Sequence, residues 1–239
     1  MKIGISTFLF PDWPLEKVAK YVASLGYEMG ELPIWKGSRH LDMTAVLKGE
    51  GKAVRDMLAV YGLGISAINN ATAGQMVLGP LDASTDAWAP SKVPEEKVKY
   101  GMEQMKLAAQ AASELEVPVV TGFVGSHVWD KWYIFPPMNE QLYEAGWQVF
   151  ADRWGEILDV FKQYGVKFAL EVHPTEIAYN IETAEQALKA LDYRTEFGFN
   201  FDPSHLHWQL IDPVIFIKTF GDRIFHCHAK DAELQQDEV

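Results

Sequence analysis

Among its 239 residues the sequence holds a single cysteine, Cys227. No intramolecular disulfide can form, and nothing points to the oxidising compartments where small folds are stapled. Basic residues are also scarce: 21 Lys and Arg stand against 33 Asp and Glu, a formal net charge of −12. Binding a phosphate backbone takes a dense basic surface, so the charge argues against a nucleic-acid partner. Apolar runs are short, and none approaches membrane-spanning length. The N-terminal "MKIGISTFLFPDWP" is broken by Pro11 and Pro14, which suits a first strand and not a secretion signal. A cytoplasmic location is the default. Neither G-x-G-x-x-G after the first strand nor G-x-x-x-x-G-K-[ST] occurs, so both nucleotide fingerprints are missing.

What is present is a core-forming pattern. Hydrophobic residues make up 48% of the chain, enough to bury a sizeable interior. Seven short apolar runs read as strands: 2–6, 28–34, 64–69, 118–124, 166–173, 198–202 and 224–230. Helical periods lie between them, as in Leu15, Val18, Ala19, Val22 and Leu25, or Trp147, Phe150, Trp154, Ile157, Leu158 and Phe161. Gly26, Gly62, Gly165 and Gly221 stand where left-handed helix caps are expected. Seven strands alternating with six helices predict parallel pairing with right-handed crossovers in one domain over 1–239. Two long loops, 70–93 and 125–144, follow strand C-termini, the end of such folds where sites are built.

Alternation within the last three strands separates two kinds of face. In "FALEVH", Phe168, Leu170 and Val172 oppose Ala169, Glu171 and His173. In "FGFNFD", Phe197, Phe199 and Phe201 oppose Asn200 and Asp202, and in "IFHCHAK", Phe225, Cys227 and Ala229 oppose His226, His228 and Lys230. Each bulky face suits packing under helices, and each polar face gathers carboxylates and imidazoles toward the strand's C-terminal end. Glu171, Asp202 and His228 offer two oxygens and a nitrogen, a donor set that suits Mn²⁺, Mg²⁺, Zn²⁺ or Co²⁺ without choosing among them. A histidine alone in a strand is ordinarily a hydrogen-bonded core residue, and His226, deeper along its strand, is expected to be one. Glu31, at the end of the second strand, is expected to be structural or solvated.

The strings "FALEVHPTE", "FNFDPSHLHWQ" and "HCHAKD" resemble the sugar phosphate isomerase/epimerase family, the xylose isomerase-like (β/α)₈ barrels. The resemblance runs through the chain and is densest from about residue 145 to 231. It implies one divalent metal ion held by Glu171, Asp202 and His228, with Glu171 also a catalytic acid/base carboxylate. It makes His205 of D-x-x-H a substrate contact and implies pairing into dimers or tetramers. His173 and Lys230, which share the polar faces, Glu176 in the fifth-strand loop, and His127, beside Trp129, Trp132 and Tyr133, are further substrate-binding candidates. The family closes its site with a glutamate on an eighth strand. This sequence ends at Val239 with neither that strand nor its helices, and so predicts a TIM barrel lacking its eighth βα unit.

The chemistry expected of such a site is removal of a proton beside a carbonyl, that is, isomerisation or epimerisation of a sugar, sugar phosphate or keto-polyol. Two other readings keep the fold: a polyol dehydratase or lyase, and a non-catalytic metal- or sugar-binding barrel lacking the closing glutamate. An endonuclease IV-like phosphodiesterase is disfavoured, because strands one to three carry no histidine and the chain is acidic.

Overall fold

The computed structural model describes residues 2–128 and 140–235. Seven strands, β1 (Gly4–Ser6), β2 (Met29–Trp35), β3 (Gly64–Asn69), β4 (Val119–Gly122), β5 (Lys167–Glu171), β6 (Phe197–Phe201) and β7 (Ile224–Cys227), pair in chain order, all parallel. A two-residue strand, Leu41–Asp42, pairs with the end of β2. The sheet curls far enough for β7 to reach β2 and β3 through its side chains: His228 Nε2 lies 3.0 Å from Glu31 Oε2, and His226 Nε2 lies 3.4 Å from Ser66 Oγ. Among the described residues β1 and β7 remain edge strands. Among the described residues the architecture is a curled half-barrel of seven parallel strands with helices, as the seven predicted strands require.

The helices cover the outer face, as the periodicities require. In α1 (Leu15–Ser24), Leu15, Val18, Ala19 and Val22 are buried, while Leu25 beyond its end is exposed. Trp147, Phe150, Trp154, Ile157, Leu158 and Phe161 are all buried along the helix Glu140–Tyr164. There Trp154 lies 4.4 Å, centroid to centroid, from Phe168 of β5, and Phe150 and Phe168 both meet Phe197 of β6. Burying each such aromatic removes about 150–250 Å² from water. The outer faces of β5 and β6 are fixed against the helices in this way, which turns Glu171 and Asn200 inward.

Four expectations need correction. Residues 70–93 are not a structureless loop: the helix Ala71–Leu78 and a 3₁₀ turn at Ala83–Thr85 lie within them. That helix is buried on nearly every side, so no amphipathic period betrays it. Helices at Pro203–His207 and Pro213–Phe220, one after β6 and one before β7, also carry the described total past six. Gly26, Gly62 and Gly165 have φ of 88°, 74° and 66°, as left-handed caps should, but Gly221 has φ −46° and simply continues a helical turn. Finally, Phe225 does not face the helices. The register between β6 and β7 slips, with Phe199 opposite Ile224 but Asn200 opposite His226. One residue too many on β7 turns Phe225 inward to pack with Ala67, Val119 and Ala169, under the Lys167 ammonium. Gly198 makes room for it: a Cβ there would stand 2.4 Å from the Phe225 ring and 2.3 Å from the Arg223 carbonyl oxygen.

Candidate metal and sugar site

The interior of the half-barrel is layered. Its floor is the small apolar group of Ala67, Val119, Ala169 and Phe225. Above that come polar side chains that hydrogen-bond one another. Asn200, 1% exposed, gives its Nδ2 to Glu171 Oε2 at 3.3 Å and stands 3.1 Å from His228 Nδ1, while its Oδ1 lies 3.0 Å from His226 Nδ1. Thr121 of β4 donates to Glu31 Oε1. His226 is thus the hydrogen-bonded interior residue that its depth predicted.

At the rim sit the charges. Glu171 Oε2 lies 3.0 Å from His228 Nδ1, and Glu171 Oε1 lies 3.1 Å from His205 Nε2. His228 is held between two carboxylates, since its Nε2 meets Glu31. Burial disfavours the imidazolium, but the hydrogen bonds it donates to Glu171 and Glu31 outweigh it and push the His228 pKa up to about 10. The same contacts, with that of His205, hold Glu171 well below the usual carboxylate range in spite of its burial. Glu31 is shifted the same way: burial raises it, and the hydrogen bond from His228 brings it below its ordinary value. Glu31, expected to be structural or solvated, is buried within β2, and its reach across the barrel to His228 is what the sequence did not reveal.

Asp202 is the last residue before the short helix Pro203–His207. Its Oδ1 caps that helix by accepting from the Ser204 N–H at 2.9 Å and the Ser204 hydroxyl at 2.6 Å. Its Oδ2 is fully buried and accepts no directed hydrogen bond; the Lys230 ammonium forms an ion pair with it at 2.8 Å, and His205 Nε2 stands 3.5 Å away. One turn into the helix, His205 is carried back over Asp202 and toward Glu171. His173, just past β5, lies 4.1 Å from the His205 ring and 5.1 Å from that of Phe123, and burial beside His205 lowers its pKa to about 4.

These placements regroup the predicted ligands. Glu171, Asp202 and His205 each present a donor atom, all within 4.8 Å of one another, and Glu31, His226 and His228 do the same. His205 stands beside Glu171 and Asp202 where His228 was expected, and His228 bridges the two groups through Glu171. Two hard oxygens and an imidazole nitrogen, one oxygen lacking a hydrogen bond, fit a divalent cation.

Of the remaining candidates, Lys230 joins the rim. His127 is exposed beyond β4, and Trp129, Trp132 and Tyr133 lie outside the described residues. Glu176 is not available to a substrate. Fully buried, its Oε2 accepts the backbone N–H groups of Val124 and Gly125 at 2.7 and 2.6 Å, so it ties the loop after β5 to the loop after β4. Burial, only partly opposed by those N–H groups, raises its pKa from 4.5 to about 7. A raised pKa in the folded state means that the native protein takes up a proton more readily than the unfolded chain. The resulting stabilisation is present in full below pH 4.5 and is lost as pH rises through about 7. The difference between the folded and unfolded values corresponds to about 3 kcal/mol at most. Glu176→Gln removes this titration. Urea midpoints of both proteins should show the stability advantage of wild type over the variant shrinking between about pH 5 and about pH 8. An advantage independent of pH would contradict the assignment.

The fold and this rim define the class. The chain belongs to the xylose isomerase-like TIM barrel family, whose sequence model matches residues 19–238. A relative, the uncharacterized protein YfiH of Bacillus subtilis (strain 168), is 25% identical over 247 aligned residues, covering 99% of this chain and 74% of that protein. Similar solved structures include the 3-keto-D-glucoside 4-epimerase YcjR of E. coli, at TM-score 0.70 and 14% identity over 95% of this chain and 78% of that one. The probable 3-DHS dehydratase AsbF of Bacillus anthracis superposes at TM-score 0.67 with 18% identity, over 95% and 72% of the two chains. The IOLI protein, solved with a zinc atom bound, does so at 0.64 with 17% identity, again over 95% and 72%. Among the described residues no helix is long and apolar enough to cross a membrane.

Proposed function

We propose that this protein is a divalent-metal-dependent isomerase or epimerase acting on a sugar or a related keto-polyol. The observation that carries the reading is the Glu171, Asp202 and His205 cluster at the C-terminal rim, with Asp202 Oδ2 buried and lacking a hydrogen bond. Glu171, Asp202 and His205 or His228 would hold the cation. When bound, it supplies charge stabilisation to a carbonyl oxygen as negative charge develops there.

The chain's own residues do the rest. Glu171, kept ionised by His205 and His228, is ready to take a proton from the carbon beside the carbonyl. Where His228 completes the cation site, His205, on a helix fixed by the Asp202 cap, positions a substrate hydroxyl; the His173 ring stands beside it, backed by Phe123. Glu31 holds His228 from behind by accepting from its Nε2. Support at the level of class comes from the company the fold keeps: an epimerase and a probable dehydratase are both similar to this chain. Both activities begin with the same proton abstraction, so the reading commits to that step.

The test is a panel of free and phosphorylated ketoses and keto-polyols, incubated in deuterium oxide with added Mn²⁺. Exchange at the carbon beside the carbonyl, with an isomer or epimer as product, is the expected result. Water loss without any isomer would move the protein to the dehydratase class. A panel that is inert throughout, with no exchange, would contradict the reading.

A further inference from the structure

His205 Nε2 is a contested atom. Glu171 Oε1 lies 3.1 Å from it, and a carboxylate oxygen at that distance calls for a proton on the nitrogen. The Lys230 ammonium lies 2.8 Å from the same nitrogen, and an ammonium calls for a bare lone pair. An imidazole nitrogen either donates or accepts, so it cannot satisfy both neighbours at once. Asp202 Oδ2 faces the same ammonium at 2.8 Å, outside directed hydrogen-bond geometry. A cation that carries no protons resolves the conflict, because two carboxylate oxygens and one imidazole lone pair can all be donors to it.

We infer that the Lys230 ammonium occupies the seat of the divalent cation, neutralising Asp202 beside His205, and that it has to leave before a metal ion binds there. The inference rests on the metal reading above and adds to it a residue that sets metal affinity. Three carboxylates, Glu31, Glu171 and Asp202, are buried at the rim, and two positive side chains, His228 and Lys230, lie among them. His228 is wedged between β2 and β5 partners. Lys230 is different: its side chain is 50% exposed and lies past the end of β7, so its ammonium can swing into water. A half-exposed ammonium keeps part of its hydration in the pair and regains the rest on leaving, whereas Asp202, with 0% of its side chain exposed, has no access to water. The device therefore keeps the buried carboxylate paired at all times and exacts a fixed penalty from any entering cation.

The test is Mn²⁺ affinity, measured by titration calorimetry and by the electron paramagnetic resonance signal of free Mn²⁺, on the full chain and three variants. Lys230→Gln and Lys230→Met remove the charge, while Lys230→Arg keeps it. The two neutral variants should bind Mn²⁺ about tenfold more tightly than wild type, and the arginine variant within about threefold of it. Without metal the two neutral variants, which leave Asp202 buried and unpaired, should melt below wild type and recover when Mn²⁺ is added, whereas the arginine variant should melt with wild type. If wild type binds Mn²⁺ and the neutral variants bind it equally or more weakly, Lys230 is no competitor and the inference fails while the metal site stands. Tighter binding in all three variants would trace the effect to side-chain shape, which also overturns it. No binding by any of the four proteins would remove the metal site itself, and the inference with it.

Discussion

Glu171→Gln is expected to lower turnover by about 10²–10⁴-fold, the range that a positioned proton-transfer group contributes. The change is small in volume, and the surroundings show why it should nonetheless be decisive. Each carboxylate oxygen meets an imidazole, His205 at 3.1 Å and His228 at 3.0 Å, and Asn200 adds its Nδ2 at 3.3 Å. A glutamine in this place retains one acceptor and presents an amide N–H₂ where the other oxygen had been. That N–H₂ faces either an imidazole or the Asn200 amide, both of which are donors toward Glu171, so it leaves at least one group unpaired in a buried site. His228, raised to about 10 by Glu171 and Glu31 together, loses one of its two carboxylate partners, and its pKa should fall. Metal affinity should drop alongside turnover, because the same oxygens serve both. The check is kcat and KM in saturating Mn²⁺, with Mn²⁺ affinity measured separately. Retained kcat in a variant that still folds would contradict the role given to Glu171.

Much of this site was legible because a strand's period is two and the site lies at strand ends. The alternation of Phe197, Phe199 and Phe201 with Asn200 and Asp202 was enough to turn the carboxylate inward, and all three phenylalanines are buried as that alternation requires. Glu171 was found by the same reasoning. The family resemblance then supplied what periodicity could not, namely that the inward groups share a task. Phe225 marks where the method stops. A bulge adds one residue to β7 and leaves no trace in composition, so Phe225 and His226, neighbours in sequence, both turn inward.

Pairings across the barrel were invisible for a second reason. Glu31 and His228 are separated by 197 positions, and their contact depends on how far the sheet curls, a property of the sheet as a whole rather than of either strand. The nearness of His205, and not His228, to Asp202 has the same origin, since it depends on which carboxylates His228 can reach. Glu176 shows the opposite error. A carboxylate in a loop after a barrel strand reads as a ligand contact, yet two backbone N–H groups from the neighbouring loop claim it first.

Asp202 carries the central claim, because its two oxygens do separable work. Oδ1 caps the helix Pro203–His207 through Ser204, and Oδ2 faces Lys230 and His205. Asp202→Asn keeps the capping oxygen and removes the negative charge, so the helix and His205 stay in place while the cation loses a ligand. Losing a cap outright costs about 1 kcal/mol, which is the reason to prefer asparagine to alanine here. Removing a partner that merely orients a ligand lowers metal affinity about 10–100-fold, and removing a ligand itself should reach or exceed the upper end of that range. The most direct measurement is therefore metal content by mass spectrometry, on wild type and Asp202→Asn equilibrated with Mn²⁺ and freed of excess. The account predicts close to one Mn per wild-type chain and almost none in the variant, with matching thermal melts. Equal metal in both proteins, or none in wild type, would contradict it.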